Sequence, residues 1–266
     1  MQMARRAALN GVWLDEVDSR IVISGIEPAD GKENITAVDA AAGYGQRITG
    51  WRRSTLDLVV KFRLLEHGRS ADGMTERSQL LEKINAWAAN AMDGAWLTVN
   101  YKPNRRLWVV LAQPPGEGSL WDYTKEFQVI FRAYVVPYWE DEIEISSSSG
   151  ISSSGNMTIT VPGNAKTEAK VTVTNKSGMT IPNVSVTVAG QTMSFEGINL
   201  GGNQALVIDH VQTGRLYYLR ARIGNTSVLA KRTGANGFTV NPGENGISFS
   251  ATRAVQVTVG VRGRYL

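Results

Sequence analysis

The feature that most constrains this chain is a period-two alternation of apolar and polar residues. In Thr55–Leu64, the residues Leu56, Leu58, Val60, Phe62 and Leu64 fall on one face, and Asp57, Lys61 and Arg63 on the other. Successive side chains of an extended chain point to opposite sides, so this is the pattern of a strand with one buried face. Phe127, Val129, Phe131, Ala133 and Val135 repeat it against Glu126, Gln128 and Arg132. Leu97, Val99 and Tyr101 form a third run and Leu107, Val109 and Leu111 a fourth, with Lys102-Pro-Asn-Arg105 between them as a hairpin turn. One segment breaks the period. From Thr75 to Met92 the apolar positions Leu80, Leu81, Ile84, Trp87, Ala88 and Ala91 follow the spacing of one helix face. Thr75 is placed to cap its start and Gly94 to stop it. The first part of the chain therefore reads as a sheet domain carrying a single amphipathic helix.

The second part reads as purely β. Short runs recur at Met157–Val161, Lys170–Thr174, Val184–Val188, Ala205–Ile208, Leu216–Ile223, Gly237–Val240, Gly246–Phe249 and Ala254–Val261. Turn signals such as Asn175-Lys-Ser-Gly178, Gly201-Gly-Asn203 and Asn241-Pro-Gly243 separate them, as in a β-sandwich or jelly roll. Val255, Val257, Val259 and Val261 alternate strictly, so the chain is expected to end inside the sheet. Between the halves, Ser146-Ser-Ser-Ser-Gly-Ile-Ser-Ser-Ser-Gly155 has the composition of a flexible linker. This gives a sheet-plus-helix domain at 1–145, a linker at 146–155 and a β-sandwich at 156–266. Divided there, residues 1–145 hold 17 Lys+Arg against 20 Asp+Glu, and 146–266 hold 11 against 4, nets of −3 and +7.

Composition narrows the chemistry. The chain has 266 residues and no cysteine, which removes disulfides, thiolate catalysis and thiolate metal sites. It has two histidines, His67 and His210, far apart in sequence. The net charge of +4 is small for a nucleic-acid binder without a basic patch. The first ten residues carry charge but no apolar stretch of signal-peptide length, and no run is long enough to span a membrane. Synthesis and assembly in a cytoplasm are expected, and the sequons at Asn34, Asn156, Asn175, Asn183 and Asn225 read as loop chemistry.

The remaining motifs weigh toward structure. Gly43-Tyr-Gly45-Gln-Arg-Ile-Thr-Gly50 lacks both the dinucleotide and the phosphate-loop spacing and precedes a strand, so it reads as a glycine-bearing turn. Glu140, Asp141, Glu142 and Glu144 could hold calcium or act as paired carboxylates, but they lack the calcium-loop spacing and read as a solvated acidic connector. His67 has no obvious acid partner. Asp209-His210 would serve as orienter and base only if a nucleophile approached in space. Trp13, Trp51, Trp87, Trp96, Trp108, Trp121 and Trp139 all precede the serine run. Phe195, Tyr217, Tyr218, Phe238, Phe249 and Tyr265, which follow it, sit mostly at strand positions where core packing is the default. Arg215, Arg220, Arg222, Lys231, Arg232, Arg253, Arg262 and Arg264 are dispersed and read as a solvated face that could dock an acidic neighbour. No catalytic, cofactor or metal residues are assigned, no cofactor is expected, and the chain is read as a non-enzyme.

Taken in order, these segments resemble the distal tail protein family of siphovirus-type bacteriophages. The helix Arg77-Ser-Gln-Leu-Leu-Glu-Lys-Ile-Asn-Ala-Trp-Ala88 and the hairpin Trp96–Val110 are similar to that family's. So are the strand and Pro-Tyr-Trp-Glu exit of Phe127–Glu140, the segment Asn241-Pro-Gly-Glu-Asn-Gly-Ile-Ser-Phe249 and the arginine-bearing final strand through Tyr265. The resemblance implies a mainly β fold whose first domain closes into a homo-hexameric ring around the tail channel. The second domain is then a galectin-like sandwich projecting outward. The ring would be the hub of a virion tail tip, or baseplate, joining the tail tube protein to tail-associated or receptor-binding proteins. DNA would pass through without being held, which the net negative first half suits, and no membrane insertion is implied. Two alternatives stay open: a carbohydrate-binding module aiding cell-wall attachment, and a tail-tube subunit.

Overall fold

A computed structural model describes residues 5–29, 33–39, 46–53, 55–65, 71–115, 126–213 and 216–266. It divides into two compact units, the first comprising the residues up to Tyr138 together with Thr213, and the second Trp139–Gln212 and Leu216–Leu266.

In chain order, the first unit carries β1 (Ala7–Leu9), β2 (Val12–Trp13), the short helix α1 (Leu14–Val17), β3 (Ile21–Ala29), β4 (Glu33–Asp39), β5 (Gln46–Arg53) and β6 (Leu56–Leu64). These are followed by α2 (Ala71–Ala89), β7 (Ala95–Val99), β8 (Arg105–Gln113) and β9 (Phe127–Ala133). The strands form an antiparallel sheet in the order β2-β1-β7-β8-β9-β6-β3, and β4 pairs with β5 as a separate ribbon. The alternation fixes the register. Leu56, Leu58, Val60 and Phe62 are buried opposite Ala133, Phe131, Val129 and Phe127, and a one-residue slip would turn all of them to the other face. The β7–β8 hairpin forms as expected, with Leu97 opposite Leu107 and Asn104 at φ 60° in its turn.

Helix α2 buries Leu80, Leu81, Ile84, Trp87 and Ala88. The Trp87 ring meets Phe131 edge-on at 5.7 Å, and its indole N–H donates to the Val12 carbonyl at 2.9 Å. The helix begins at Ala71, so Thr75 lies within it and not at its cap. Gly94 is not its stop either, because the helix ends at Ala89 and Gly94 lies in the turn that leads into β7. It sits at φ +101°, and a Cβ there would lie 2.5 Å from the Trp108 ring. β9 ends at Ala133, so the expected alternation fails at its end, where Val136 is the buried residue and not Val135.

The second unit runs β10 (Trp139–Asp141), β11 (Ile145–Ser148), β12 (Ser152–Val161), β13 (Thr167–Glu168), β14 (Lys170–Asn175), β15 (Val184–Val188) and β16 (Gln191–Phe195). It continues with β17 (Ala205–Thr213), β18 (Leu216–Ile223), β19 (Thr226–Ser227), β20 (Arg232–Gly234), β21 (Thr239–Val240), β22 (Gly243–Val261) and β23 (Arg264–Tyr265). The organiser is β22, 19 residues long. Its first half pairs with β12 and β15, and its second half with β11 and β14. One strand thereby serves both layers of a sandwich, as strands at sheet corners do. The layers enclose a core that includes Val171, Val173, Val186, Phe195, Leu206, Phe238, Phe249, Val257 and Val259. The two runs read separately at Gly246–Phe249 and Ala254–Val261 are thus one strand.

The serine-rich run is not a linker here. Ile145–Ser148 and most of Ser152–Gly155 are laddered onto β22, and Ser148 and Thr258 share a hydroxyl–hydroxyl bond at 2.8 Å. Serine has little intrinsic strand preference. The long neighbouring strand supplies the order, from about a hundred residues away in sequence.

Candidate functional site

His210 is the chemical candidate with the most surroundings to inspect. It lies on β17, with its ring stacked on Tyr217 of β18 at 5.3 Å and 14°. The Tyr217 hydroxyl donates to Glu168 Oε2 at 2.6 Å, and Arg264 Nη2 reaches the same oxygen at 2.5 Å and the Tyr217 hydroxyl at 3.2 Å. Strands β13, β17, β18 and β23 are therefore tied by one polar cluster. Burial pushes the Glu168 carboxyl up, but the Arg264 charge and the Tyr217 hydrogen bond outweigh it and hold the group below its usual range. Burial lowers His210, while burial and the Glu168 charge raise Tyr217. Gly237, at φ +135°, packs against the imidazole, and a Cβ there would sit 2.5 Å from His210 Cε1.

This arrangement binds elements together, with the Tyr217 hydroxyl and Arg264 both turned to Glu168. The conditional pairing of Asp209 with His210 does not form a hydrogen bond, because neighbours in a strand face opposite sides. Asp209 instead takes both Nε and Nη2 of Arg220, at 2.9 and 2.6 Å. Glu168 is the member that sequence reasoning does not name, while Tyr217 reads there as core packing and Arg264, buried here, as part of a solvated face. The one legible signal for Glu168 is the scarcity of acids after the serine run, which leaves few partners for a buried arginine.

The acidic connector also proves to be structure. Trp139 and Glu140 pair with Tyr265 and Arg264 across β10–β23. Asp141 accepts from the Tyr265 hydroxyl at 3.2 Å, Arg262 donates to the Asp141 and Glu142 carbonyls, and Glu144 lies 3.6 Å from Lys170. The segment is the first strand of the second unit. No group of three or more metal-ligating side chains occurs among the described residues.

Other sequence candidates fall as follows. His67, Gly43, Gly45, Trp121 and Arg215 lie outside the described residues, and Gly50 lies in β5. Arg220, Lys231, Arg232, Arg262 and Arg264 are each engaged within the second unit. Trp96 and Trp108 meet edge-on at 5.0 Å with Arg106 over Trp96 at 3.7 Å, and Arg6 lies over Trp13 at 4.5 Å. Trp139 belongs to the second unit, where it is buried. Of the six aromatics singled out after the serine run, Phe195, Phe238 and Phe249 are buried, and Tyr218 is the exposed one, at 47%.

The second unit also has an open groove of about 340 Å³, lined by Asn183, Ser185, Ser194, Glu196, Ser250 and Thr252 among others. It lies on a hydroxyl-rich face where Ser185 meets Ser194 and Thr187 meets Thr192, both at 2.9 Å. No exposed aromatic ring lines it, so it lacks the flat apolar platform on which sugar rings stack.

No protein-family profile and no curated protein matches the sequence. Among solved structures, the chain is similar to the SPP1 Dit protein, described as a paradigm of the hub of the adsorption apparatus in phages infecting Gram-positive bacteria. That likeness has a TM-score of 0.65 at 12% identity and covers 99% of this chain and 100% of that one. It is also similar to a chain of the phage P2 baseplate in its calcium-activated conformation, with a TM-score of 0.51 at 8% identity over 98% of each chain. What this protein shares with both, end to end and through both of its units, is their fold.

Proposed function

We propose that this protein is a structural subunit of a siphovirus-type tail tip. In this reading six copies form a ring hub that joins the tail tube to the tail-associated or host-adsorption proteins. The observation that carries this is the end-to-end likeness to the SPP1 Dit hub protein, which covers a sheet-plus-helix unit and a β-sandwich in one chain. The groups that looked chemical support it, because His210 stacks on Tyr217 and the Asp141 and Glu144 carboxylates are engaged within the second unit, as is Glu168. A closed cyclic ring needs one face of each subunit to meet a different face of the next. A hub must also stop at one or two rings, where a tube subunit would continue to polymerise. Light scattering behind a sizing column, with negative-stain images of the peak, tests this. A mass of six or twelve subunits with ring images supports the hub, long tubes favour a tail-tube subunit, and a monomer without rings at the highest soluble concentration counts against both.

A further inference from the structure

We propose that the free edge of β12 pairs with the same edge of a second copy of this chain. The inference does not rest on the hub reading. Strand β12 is ten residues long and borders its layer: β22 is its ladder partner, and among the described residues no strand pairs with its other side.

The register shows which backbone groups are open. Ala189 N donates to Gly246 O at 2.9 Å and Thr252 N to Asn183 O at 3.3 Å. The even-numbered residues of this half of β22 therefore turn their N–H and C=O groups toward β15, and Asn245, Ile247 and Phe249 turn theirs toward β12. The residues opposite those three are Ile159, Met157 and Gly155. Alternation then leaves the N–H and C=O groups of Asn156, Thr158 and Thr160 facing outward. One step earlier, the Ser154 carbonyl is already taken by the Ser152 hydroxyl at 2.6 Å.

Natural sheets protect such edges with lysine, proline, inward charges or short length. Ser152–Val161 has no charged residue, and the first proline comes after it, at Pro162. What the segment does have is self-complementarity. In an antiparallel pair about a two-fold axis at Thr158, Thr158 stands opposite its own copy and Asn156 opposite Thr160, each pair exchanging two backbone bonds. Uncharged polar residues then meet on the outer face. On the inner face Met157, partly buried against the core, meets Ile159 of the copy and extends the apolar layer. No like charges oppose. The contact is isologous, so it closes at two.

The test uses the full chain. Thr158→Pro removes an outward N–H without touching the β12–β22 ladder, as proline at a sheet edge can, and Thr158→Lys places a charge on the edge. Each variant is expected to halve the native mass measured by light scattering, from twelve to six if rings form and from two to one if they do not, with an unchanged far-ultraviolet circular dichroism spectrum. Because the chain has no cysteine, Thr158→Cys adds an independent readout. Paired Cα atoms roughly 5.5 Å apart lie within disulfide reach, so mild oxidation should give a covalent dimer, whereas Thr187→Cys on an inner strand should not. Equal masses for wild type and both variants, or no Thr158→Cys dimer, overturns the proposal. Ring images decide the hub reading separately: halving without rings supports the edge contact and sinks the hub.

Discussion

Replacing Glu168 with alanine tests whether the β13–β23 tie holds the second unit together. The Arg264 side chain is 8% exposed and that of Glu168 21%, with Nη2 and Oε2 2.5 Å apart. Removing one partner of a buried pair strands the other charge without solvent, a cost of about 3–5 kcal/mol. For a unit of this size 1 kcal/mol moves the midpoint by roughly 3–5 °C, so the second unit should melt on the order of 10–20 °C lower. Calorimetry on the full chain reads this as a shift of one transition while the first unit's transition stays in place. Glu168→Ala with Arg264→Met removes both charges and should recover about half or more of the loss, since the pair itself contributes little net stability over an apolar replacement. A single variant that melts within a few degrees of wild type would refute the reasoning. So would a double variant that is worse than the single by a full additive increment.

Three further outcomes are expected. Gly94→Val, which demands a left-handed φ and drives a branched side chain into the Trp108 ring, should cost the first unit about 2–4 kcal/mol in denaturant titration. Asn175 is fully buried and donates to the Met179 and Leu200 carbonyls at 2.6 and 2.8 Å while accepting from Ser177 N. Asn175→Ala should therefore lower the second unit's stability by about 2–4 kcal/mol. The second unit should also show a stability plateau in calorimetry between about pH 7 and pH 10. Folding depresses His210 from 6.5 and Glu168 from 4.5, so their contributions are full above those values and fall away as pH drops through the lower folded values. Tyr217 is raised from 10.0, so its contribution is lost on the alkaline side. His210→Gln should remove the decline that begins below pH 6.5 and leave the acid limb of Glu168.

How much of this was legible in sequence depended on the distance between partners. Strands β6, β9, β15 and β18 announced themselves because one buried face is enough to write the pattern locally. Strand β11 and the serine-rich start of β12 did not, because their order comes from β22, about a hundred residues away, and serine composition carries no trace of that partner; of β12 only Met157–Val161 was legible. The helix was legible in its buried face, while its start was not, since Thr75 looks like a cap wherever it stands. The polar cluster was hidden for the same reason as β11. His210 invited pairing with its sequence neighbour Asp209, but strand geometry sends neighbours to opposite faces and brings His210 to Tyr217, while the Tyr217 hydroxyl and Arg264 meet on Glu168.

The boundary at Tyr138 also changes the electrostatic argument for a DNA channel. Divided after residue 145, the first part appears acidic, yet all four carboxylates of 140–144 belong to the second unit. Divided at Tyr138, the first part holds 17 basic and 16 acidic residues, net +1, and the rest 11 and 8, net +3. A negative channel wall therefore cannot be argued from unit charge. What remains is local pairing. Arg6 is bonded to Asp15, Arg20 to Asp18, Lys61 to Glu27, Lys83 to Asp18 and Arg132 to Asp57. Phosphates are retained where cations free of a partner release counterions from DNA, and these five already have a carboxylate. Should copies of the first unit line a channel, these five cations would present phosphates with less than their formal charge.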